Sequence, residues 1–358
     1  ERPAGKIISP PKPDLNLLEL PYRLYTDEDI AGRVIYLEAS RGCPFKCDFC
    51  LSALDAGVRA FPPEKLFREW GKLLDRGARR FKFVDRTFNL DPAAAAAVLE
   101  FFLRRADTGL FLHFEVIADN FPEELFALIK RFPPGALQLE IGVQTFSEEV
   151  ARRISRRQDN AAAEKNIRRL RGETEAHLHA DLIAGLPGED LAGFAAGFDR
   201  LAALRPHEIQ VGILKRLRGA PIARHDKEWG MVYSQEPPYE LRRSSAMDFF
   251  TVQRLRRFAR YWDLVANSGL FPETIKAVCG GPGPFGDFLA LSDWLYARTG
   301  QAHGISRSRL RDLLRAYLID ELKYPEAAAA GFIERDALNS RRRPEGPGLE
   351  RQARHKRD

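Results

Sequence analysis

Residues 41–50 read R-G-C-P-F-K-C-D-F-C, which places Cys43, Cys47 and Cys50 in the pattern C-x₃-C-x₂-C. Three thiolates can hold three irons of a 4Fe–4S cluster, because each cluster iron takes one protein ligand. The loop has no fourth cysteine, so one iron would stay free to bind a molecule other than protein. An electron carrier usually closes that position, whereas a catalyst leaves it open. The spacing therefore favours a catalytic cluster site.

Two other interpretations of these cysteines are a zinc knuckle and a set of buried thiols. Structural zinc takes four nitrogen or sulfur ligands, commonly as paired C-x₂-C units. The chain has no second cysteine pair, and no histidine lies within residues 41–50. The iron–sulfur interpretation is therefore preferred.

The cysteine spacing resembles the signature of the radical S-adenosylmethionine (SAM) enzymes. In that family the open iron chelates the amino and carboxylate groups of SAM, and the reduced cluster cleaves the sulfonium to make a 5′-deoxyadenosyl radical. The resemblance implies two cofactors, SAM and a 4Fe–4S cluster held by Cys43, Cys47 and Cys50. It also implies an external electron donor of the flavodoxin or ferredoxin type.

Between residues 33 and 214, short apolar runs alternate with helical segments. Such βα units predict parallel strands with right-handed crossovers, in either a doubly wound sheet or a TIM-like barrel. The cysteine loop and the later polar motifs follow apolar runs, which is where barrels place their sites. The expected fold is therefore α/β, a partial TIM-like (βα)6 barrel, which the resemblance also implies. The predicted strands are 34–39, 80–85, 111–117, 137–143, 176–184 and 208–214.

The barrel is assigned to residues 31–225, and the composition differs on either side of it. Residues 1–30 are Pro-rich and non-periodic, which predicts an extended linker. Amphipathic patterns in 226–337 predict an α-helical C-terminal extension that packs against the barrel or covers its mouth. Residues 338–358 are rich in Arg, Pro and Gly, so a disordered basic tail is expected.

The composition is that of a globular protein, with 44% hydrophobic and 30% charged residues among 358. No run of 18 apolar residues could span a membrane. Four cysteines make no disulfide framework, and a cluster-forming set implies a reducing compartment, so a cytoplasmic protein is expected. Residues 341–358 carry +4 of the net charge of +6, so a solvated tail is favoured over nucleic-acid binding.

Four further segments resemble radical SAM patterns, most closely those of the subgroup with oxygen-independent coproporphyrinogen dehydrogenase and the cobalamin-associated enzymes. The first is F-V-D-R-T-F-N at 83–89. Many members carry Gly-Gly-Glu here to receive the SAM amino group, and this chain departs from that pattern. Asp85 suits an ammonium group; alternatively, it caps the following loop.

The second segment is F-E-V-I-A-D at 114–119. Glu115 matches an inward acidic residue that binds the ribose hydroxyls in this subgroup. An acid among apolar residues is costly if it is buried without partners. The alternative, an outward Glu115, would turn Phe114 and Val116 into the barrel together, so the inward orientation is preferred.

The third segment, L-E-I-G-V-Q-T-F at 139–146, resembles one in which the Gln and an Arg twelve residues further on contact SAM. These residues correspond to Gln144 and Arg156, and an arginine can bind the methionine carboxylate with two hydrogen bonds. Arg157 is adjacent, so the match could shift by one residue. Exposure on a helix surface is the alternative for either arginine.

The fourth segment, A-D-L-I-A-G-L-P-G-E at 180–189, matches the subgroup almost residue for residue. The resemblance implies that Asp181 contacts the ribose or adenine and that Ile183 packs on the adenine face. Gly185 and Gly188 would allow a close approach of the backbone.

The start of the chain resembles the junction in proteins that carry a cobalamin-binding domain before the barrel, so such a domain is expected upstream, outside this chain. The implied activity is reductive cleavage of SAM to start radical chemistry on an unknown small molecule, with cobalamin-assisted methyl transfer as one outcome. Alternatives are a cobalamin-independent oxidoreductase and a non-catalytic iron–sulfur or zinc protein that binds RNA. RNA methylthiolation usually needs a second cluster, for which only Cys279 remains. Cys279 itself is interpreted first as a packed residue, and otherwise as a substrate-facing thiol or a ligand.

Overall fold

A parallel sheet of six strands organises the computed structural model, which describes residues 12–55, 57–106 and 109–342. The six predicted strands are present, with small differences at their ends. Shorter antiparallel pairs flank the sheet. Within the described ranges the strands are β1 (Ile35–Leu37), β2 (Ser40–Cys43), β3 (Gly57–Ala60), β4 (Arg80–Phe83), β5 (Phe111–Val116), β6 (Leu137–Gln144), β7 (His177–Ala184), β8 (Glu208–Ile213), β9 (Val232–Tyr233) and β10 (Leu241–Arg243).

Helices alternate with the sheet strands and continue after the last one. Their starts follow local signals: Asp91, for example, caps the next helix by accepting hydrogen bonds from the N–H groups of Ala93 and Ala94. The α-helices of the described residues are α1 (Asp27–Gly32), α2 (Pro63–Asp75), α3 (Pro92–Leu103), α4 (Glu123–Ile129), α5 (Glu148–Arg153), α6 (Asn160–Glu173), α7 (Leu191–Ala203), α8 (Phe249–Val265), α9 (Pro272–Val278), α10 (Pro284–Thr299), α11 (Arg307–Asp320) and α12 (Glu326–Arg342).

The strand order of the sheet is β1-β4-β5-β6-β7-β8, and each pair of neighbours is parallel. A doubly wound sheet would reverse its strand order at a switch point, and this sheet does not. The order is that of a barrel wall with β1 and β8 as its open edges, so the predicted partial (βα)6 barrel is confirmed. Loops that follow the parallel strands meet at one end of such a wall.

The two faces of the sheet differ in polarity. Phe83 and Phe114 face the helices, where the Phe83 ring lies 4.5 Å from Phe114 and 5.4 Å from Trp70 of α2. Their chain neighbours Lys82 and His113 lie on the opposite face, because successive residues of a strand alternate. The outer face therefore builds the apolar core, and the inner face carries charged groups.

The C-terminal helices pack against the outside of the barrel, next to its last strand. Helix α8 contacts β8, and α10 contacts α7. Phe198 of α7 lies between Phe258 of α8, at 5.1 Å between ring centroids, and Phe285 of α10, at 5.7 Å. Burial of these large rings fixes the extension to the barrel.

The N-terminal segment departs from the extended linker expected for it. It contains α1 and a short 3₁₀ helix (Pro21–Leu24), and Tyr22 is buried in the core. Helix α1 begins at a capping box between Thr26 and Asp29, a device too short to produce a periodic pattern. Residues 1–11 of the predicted linker lie outside the described residues.

The C-terminal boundary also differs from the expected one. Helix α12 continues to Arg342, although a disordered tail was expected from 338. Residues 326–337 of this helix lie within the predicted α-helical extension, and only residues 338–342 lie beyond its predicted boundary. Residues 343–358 of the expected tail lie outside the described part. Among the described helices, none combines the length and apolar character needed to cross a membrane.

Candidate active site

The cysteines of the C-x₃-C-x₂-C segment lie on a hairpin that follows β1. Cys43 ends β2, which pairs with β3, and Cys47 and Cys50 lie in the connection between these strands. Gly42 has a φ of +103°, and a Cβ there would overlap the carbonyl oxygen of Gly57, so the hairpin requires glycine. Cys47 is buried, Cys43 and Cys50 are half-buried, and all three are free thiols.

A cation and a hydroxyl lie beside these thiols. Arg156 Nη1 is 3.8 Å from Cys47 Sγ, and Thr87 Oγ1 is 3.8 Å from Cys43 Sγ. Burial raises the pKa of Cys47, and the Arg156 guanidinium opposes that shift. A neighbouring cation favours the thiolate, which is the form that binds metal. The donor set therefore fits a cluster held by three thiolates.

A site for one metal ion, unlike a cluster site, needs several ligands that meet at a single point. Across residues 12–55, 57–106 and 109–342, no group of three or more His, Cys, Asp or Glu side chains is placed to hold one metal ion. A 4Fe–4S cluster does not require its protein ligands to meet at one point, because each thiolate binds a different iron.

Cys279 lies apart from this hairpin, at the end of α9 in the C-terminal extension. Burial raises its pKa to about 12, and the carboxylates of Asp287 and Asp199 act in the same direction. These acids belong to α10 and α7, so Cys279 is surrounded by outer helices. This placement favours the packed interpretation.

The carboxylate of Asp85 is engaged by the protein itself. One oxygen accepts a hydrogen bond from the N–H of Ala39 at 2.9 Å, and the other accepts from both the N–H and the hydroxyl of Ser40 at 2.6 Å. Burial raises the Asp85 pKa, against these hydrogen bonds. The contacts favour the loop-capping alternative, but the loop is the one before the cysteines, between β1 and β2.

Glu115 lies on the inner face of β5, opposite Glu140 on β6. Burial and the charge of Glu140 raise the Glu115 pKa to about 7, while Arg86, 3.6 Å away, opposes the rise. Burial would also raise the pKa of Glu140, but a 2.8 Å contact with His113 Nε2 and the charge of Lys82 lower it to about 2. Near neutral pH, Glu115 is therefore able to donate or accept a hydrogen bond, which suits a hydroxyl ligand.

Asp181 lies on the inner face of β7 next to a histidine. His179 Nε2 is 3.2 Å from Asp181 Oδ1, and Glu208 on β8 is 3.8 Å from the other ring nitrogen. Burial lowers the pKa of His179, but these two acids outweigh it and raise the value to about 9. The result is a buried ion pair on the inner face of β7 that includes Asp181, one of the expected SAM contacts.

Sequence reasoning missed part of this inner wall. The signal that could have found it is a charged or polar residue at alternate positions of an otherwise apolar strand. In H-L-H-A-D-L-I-A, for example, the polar residues recur at every second position. The inner-wall residues that were missed are Lys82, His113, Glu140 and His179.

The His179 ion pair makes stability depend on pH. The histidine pKa is about 9 in the folded protein, against about 6.5 in an unfolded chain. Its contribution is therefore complete below pH 6.5 and is lost as the pH rises through 9. The free energy of unfolding of wild type should exceed that of His179→Gln by on the order of 2 kcal/mol at pH 6, and the difference should shrink by pH 9. Denaturant titration at several pH values measures it; a pH-independent difference contradicts the ion pair.

Gln144 and Arg156 meet at Gly142, near the carboxyl end of β6. Gln144 has a φ of +70°, and its side chain folds over Gly142. Arg156 donates to the Gly142 carbonyl oxygen and, at 2.7 Å, to Gln158 Oε1. Arg157 is exposed. Arg156, and not Arg157, therefore lies next to the cysteine hairpin.

Several of the expected site residues come together near the end of β6. Gly142 is the register partner of Asp181 on β7, and Ile183 follows on the same face, half-buried. Asp85 follows β4, two strands away from β6 in the sheet, and contacts the turn after β1. The residues that meet around Gly142 are Cys47, Gln144, Arg156 and Asp181.

The two glycines of the G-L-P-G turn are required by the C-terminal region. Gly185 has a φ of +88°, and a Cβ there would overlap the side chain of Leu241 in β10. At Gly188, with a φ of +76°, a Cβ would overlap Arg153 and Trp229. The groups that approach the backbone of this turn in the structure are side chains of the extension and of α5, and the approach of a ligand there stays a prediction.

Two protein families match this chain. Residues 37–200 match the family described as "Radical SAM superfamily", and residues 227–357 match a "Protein of unknown function (DUF4080)". Among curated relatives, the ribosomal protein uS12 methylthiotransferase RimO of Porphyromonas gingivalis is 32% identical over 163 residues, covering 43% of this chain and 37% of the relative. RimO of Geotalea uraniireducens is 29% identical over 196 residues, covering 52% and 44%. The chain thus spans less than half the length of these relatives.

Solved structures share the fold. The radical SAM methyltransferase TsrM from Kitasatospora setae, with cobalamin and a [4Fe–4S] cluster bound, aligns over 87% of this chain and 62% of its own, with a TM-score of 0.52 and 17% identity. TsrM with tryptophan and a SAM analogue gives a TM-score of 0.51 at 18% identity, covering 59% and 43%. At this identity the likeness concerns the fold alone. With the three-cysteine hairpin and the barrel, the match identifies residues 37–200 as a domain of the radical SAM superfamily, whose enzymes use a 4Fe–4S cluster and SAM.

Proposed function

We propose that this chain cleaves SAM reductively at a 4Fe–4S cluster held by Cys43, Cys47 and Cys50. The observation that carries the proposal is the position of the hairpin: three free thiols, one of them buried, lie beside the carboxyl end of β6 with Arg156 against Cys47. A cluster bound there would supply the electron that breaks a bond of the SAM sulfonium. Three thiolates leave one iron of such a cluster open to a ligand.

The roles of the protein residues follow from their contacts. Arg156 favours the Cys47 thiolate and presents a guanidinium where the methionine carboxylate would lie. Glu115, with a pKa of about 7, offers a hydrogen-bond donor and acceptor to the ribose hydroxyls. Asp181, held by His179, offers a second acceptor at the same end of the wall. The Gln144 side chain lies over the backbone at Gly142, the register partner of Asp181.

The substrate we propose is a small polar molecule. The inner wall below the site carries Lys82, Glu140 and His179, and burial of such groups favours a polar occupant over an apolar one. RimO, by its name, modifies a ribosomal protein, and a protein substrate is the alternative for this chain. Electrons would come from an external donor.

Among possible outcomes we propose methyl transfer assisted by cobalamin bound in an upstream domain. It is supported by the resemblance of the chain to cobalamin-associated enzymes. Methylthio transfer, the activity named for the RimO relatives, is an alternative outcome. A cobalamin-independent oxidoreductase is the remaining alternative.

An anaerobic assay tests the proposal. Cluster-loaded protein, SAM and a reductant should give 5′-deoxyadenosine and methionine, and iron-free protein is the control. S-adenosylhomocysteine that forms only when unmethylated cobalamin is added would favour methyl transfer, because the cobalamin that the reductant reduces can accept the methyl group of SAM. A fully loaded cluster that leaves SAM intact, or protein that purifies with one zinc and takes up no iron, contradicts the proposal.

A further inference from the structure

The hairpin contains a buried acid among the cysteines. Asp48 follows Cys47 directly, and only 2% of its surface is exposed. Its Oδ2 lies 2.7 Å from His225 Nε2 and forms an ion pair with Arg224, whose Nη2 is 2.8 Å away. His225 is itself buried and ends a 3₁₀ helix (Pro221–His225) that follows β8.

The backbone of Asp48 is fixed as well. Its N–H donates to the carbonyl oxygen of Ile154, after α5, at 3.0 Å, and its carbonyl oxygen accepts from the N–H of Ile222 at 2.8 Å. Arg224 also donates to Ser155 Oγ at 2.9 Å, which ties the two anchoring segments to each other. Asp48 is thus held by two segments that are far apart in sequence.

This position matters because few regular elements support the hairpin near Cys47. The described residues between β2 and β3 form a 3₁₀ helix (Leu51–Leu54) but no α-helix or strand, and the Cys50 N–H donates to the Cys47 carbonyl oxygen at 3.0 Å. The conformation around Cys47 therefore also depends on the contacts of Asp48. A buried carboxylate that loses its partners is strongly unfavourable, so the contacts of Asp48 hold one conformation of the loop. That conformation places Cys47 next to Arg156.

We propose that Asp48 is a positioning residue of the cluster site, which fixes the cysteine loop to the 3₁₀ helix after β8 and to the end of α5. The proposal rests on the proposed cluster at Cys43, Cys47 and Cys50. Asp48 contacts neither iron nor SAM in this scheme, and it acts through the conformation of the loop. The 3₁₀ helix thereby couples the barrel's last strand to the loop that follows its first strand.

The test uses Asp48→Ala, with Asp336→Ala as the matched control. Asp336 is another buried carboxylate, which accepts hydrogen bonds from Glu273 and Thr274 in the extension, away from the hairpin. After anaerobic reconstitution, cluster loss to a chelator should be about 10-fold faster in Asp48→Ala than in wild type, the low end for residues that orient metal ligands. Asp336→Ala should lose its cluster at the wild-type rate, even if its melting temperature falls.

Two further variants separate positioning from general instability. Asp48→Asn keeps the shape and one acceptor, so it should recover part of the wild-type retention. Arg224→Gln removes a half-exposed partner without opening the core, and it should also speed cluster loss. The electron paramagnetic resonance signal of the reduced cluster should change on SAM addition in wild type and respond less in Asp48→Ala.

The outcomes are distinguishable. A wild-type chain that takes up no iron–sulfur cluster overturns the proposed function. A loaded wild type whose Asp48 and Arg224 variants retain cluster and SAM response as well as Asp336→Ala overturns the role of Asp48 alone. If Asp48→Ala does not fold, Asp48→Asn and Arg224→Gln decide the question by the same two measurements.

Discussion

Alanine at Cys43, Cys47 or Cys50 should abolish the iron–sulfur cluster, whereas Cys279→Ala should leave it intact. Each of the three thiols lies on the hairpin after β1, and each would hold its own iron, so no remaining thiol there can replace a lost one. Iron and sulfide per chain, together with the visible absorption of the reconstituted protein, measure the effect.

Cys279→Ala is the matched control for these variants. Burial raises the Cys279 pKa to about 12, so this thiol is a poor source of thiolate, and it lies at the end of α9. Cluster loss in Cys279→Ala, or full loading in any of the three hairpin variants, would overturn the ligand assignment. Equal loading in all four would point to iron bound elsewhere.

Arg156→Ala should weaken SAM binding to the cluster-loaded protein by about 10- to 150-fold, because losing a hydrogen bond to a charged group costs about 1.5–3 kcal/mol. Arg156 contacts both Cys47 and the Gly142 carbonyl oxygen, so it lies between the cluster loop and the end of β6. Isothermal titration calorimetry with SAM under anaerobic conditions measures the change.

Arg157→Ala provides the control for charge. It removes the same charge from the next residue, which is exposed, so SAM affinity should stay near that of wild type. Cluster content must be matched between the two variants before titration. If Arg157→Ala loses SAM affinity while Arg156→Ala keeps it, the assignment shifts by one residue. If both variants keep wild-type SAM affinity, neither arginine binds SAM.

The region that follows the barrel takes part in shaping this site. Leu241 packs against Gly185, and Trp229 lies against Gly188, both in the turn that follows β7. His225, just before the region that matches a family of unknown function, contacts the cysteine hairpin through Asp48. The extension therefore supports the turn after β7, while the segment just before it supports the cysteine hairpin.

Much of the fold and of the candidate site could be predicted from local patterns. The cysteine spacing depends on three residues within one loop, and the six sheet strands appear as short apolar runs between helical segments. Such signals are local, because each element carries its own hydrophobic pattern and its own start and stop residues. The segment A-D-L-I-A-G-L-P-G-E is another local signal, because it resembles a family motif over ten consecutive residues.

Other properties depended on residues far apart in sequence. The chain motif alone offered Asp85 as a SAM ligand, but its oxygens are occupied by the turn that ends β1. The glycines of the turn after β7 were expected to let a ligand approach the backbone closely. In the folded chain, a Cβ at these positions would overlap Leu241 and Trp229. Neither contact has a signature within its own segment, since both partners lie more than forty residues away.

The inner wall of the barrel shows most clearly that the pKa of a group depends on partners from other strands. Glu140 and Glu115 are both glutamates on neighbouring strands, but their pKa values are about 2 and about 7. The difference arises because Glu140 faces His113 and Lys82, whereas Glu115 is buried next to a carboxylate that is already charged. Residue type and spacing thus identify the chemistry available to this protein, while the protonation and partners of each group follow from which strands the folded sheet brings together.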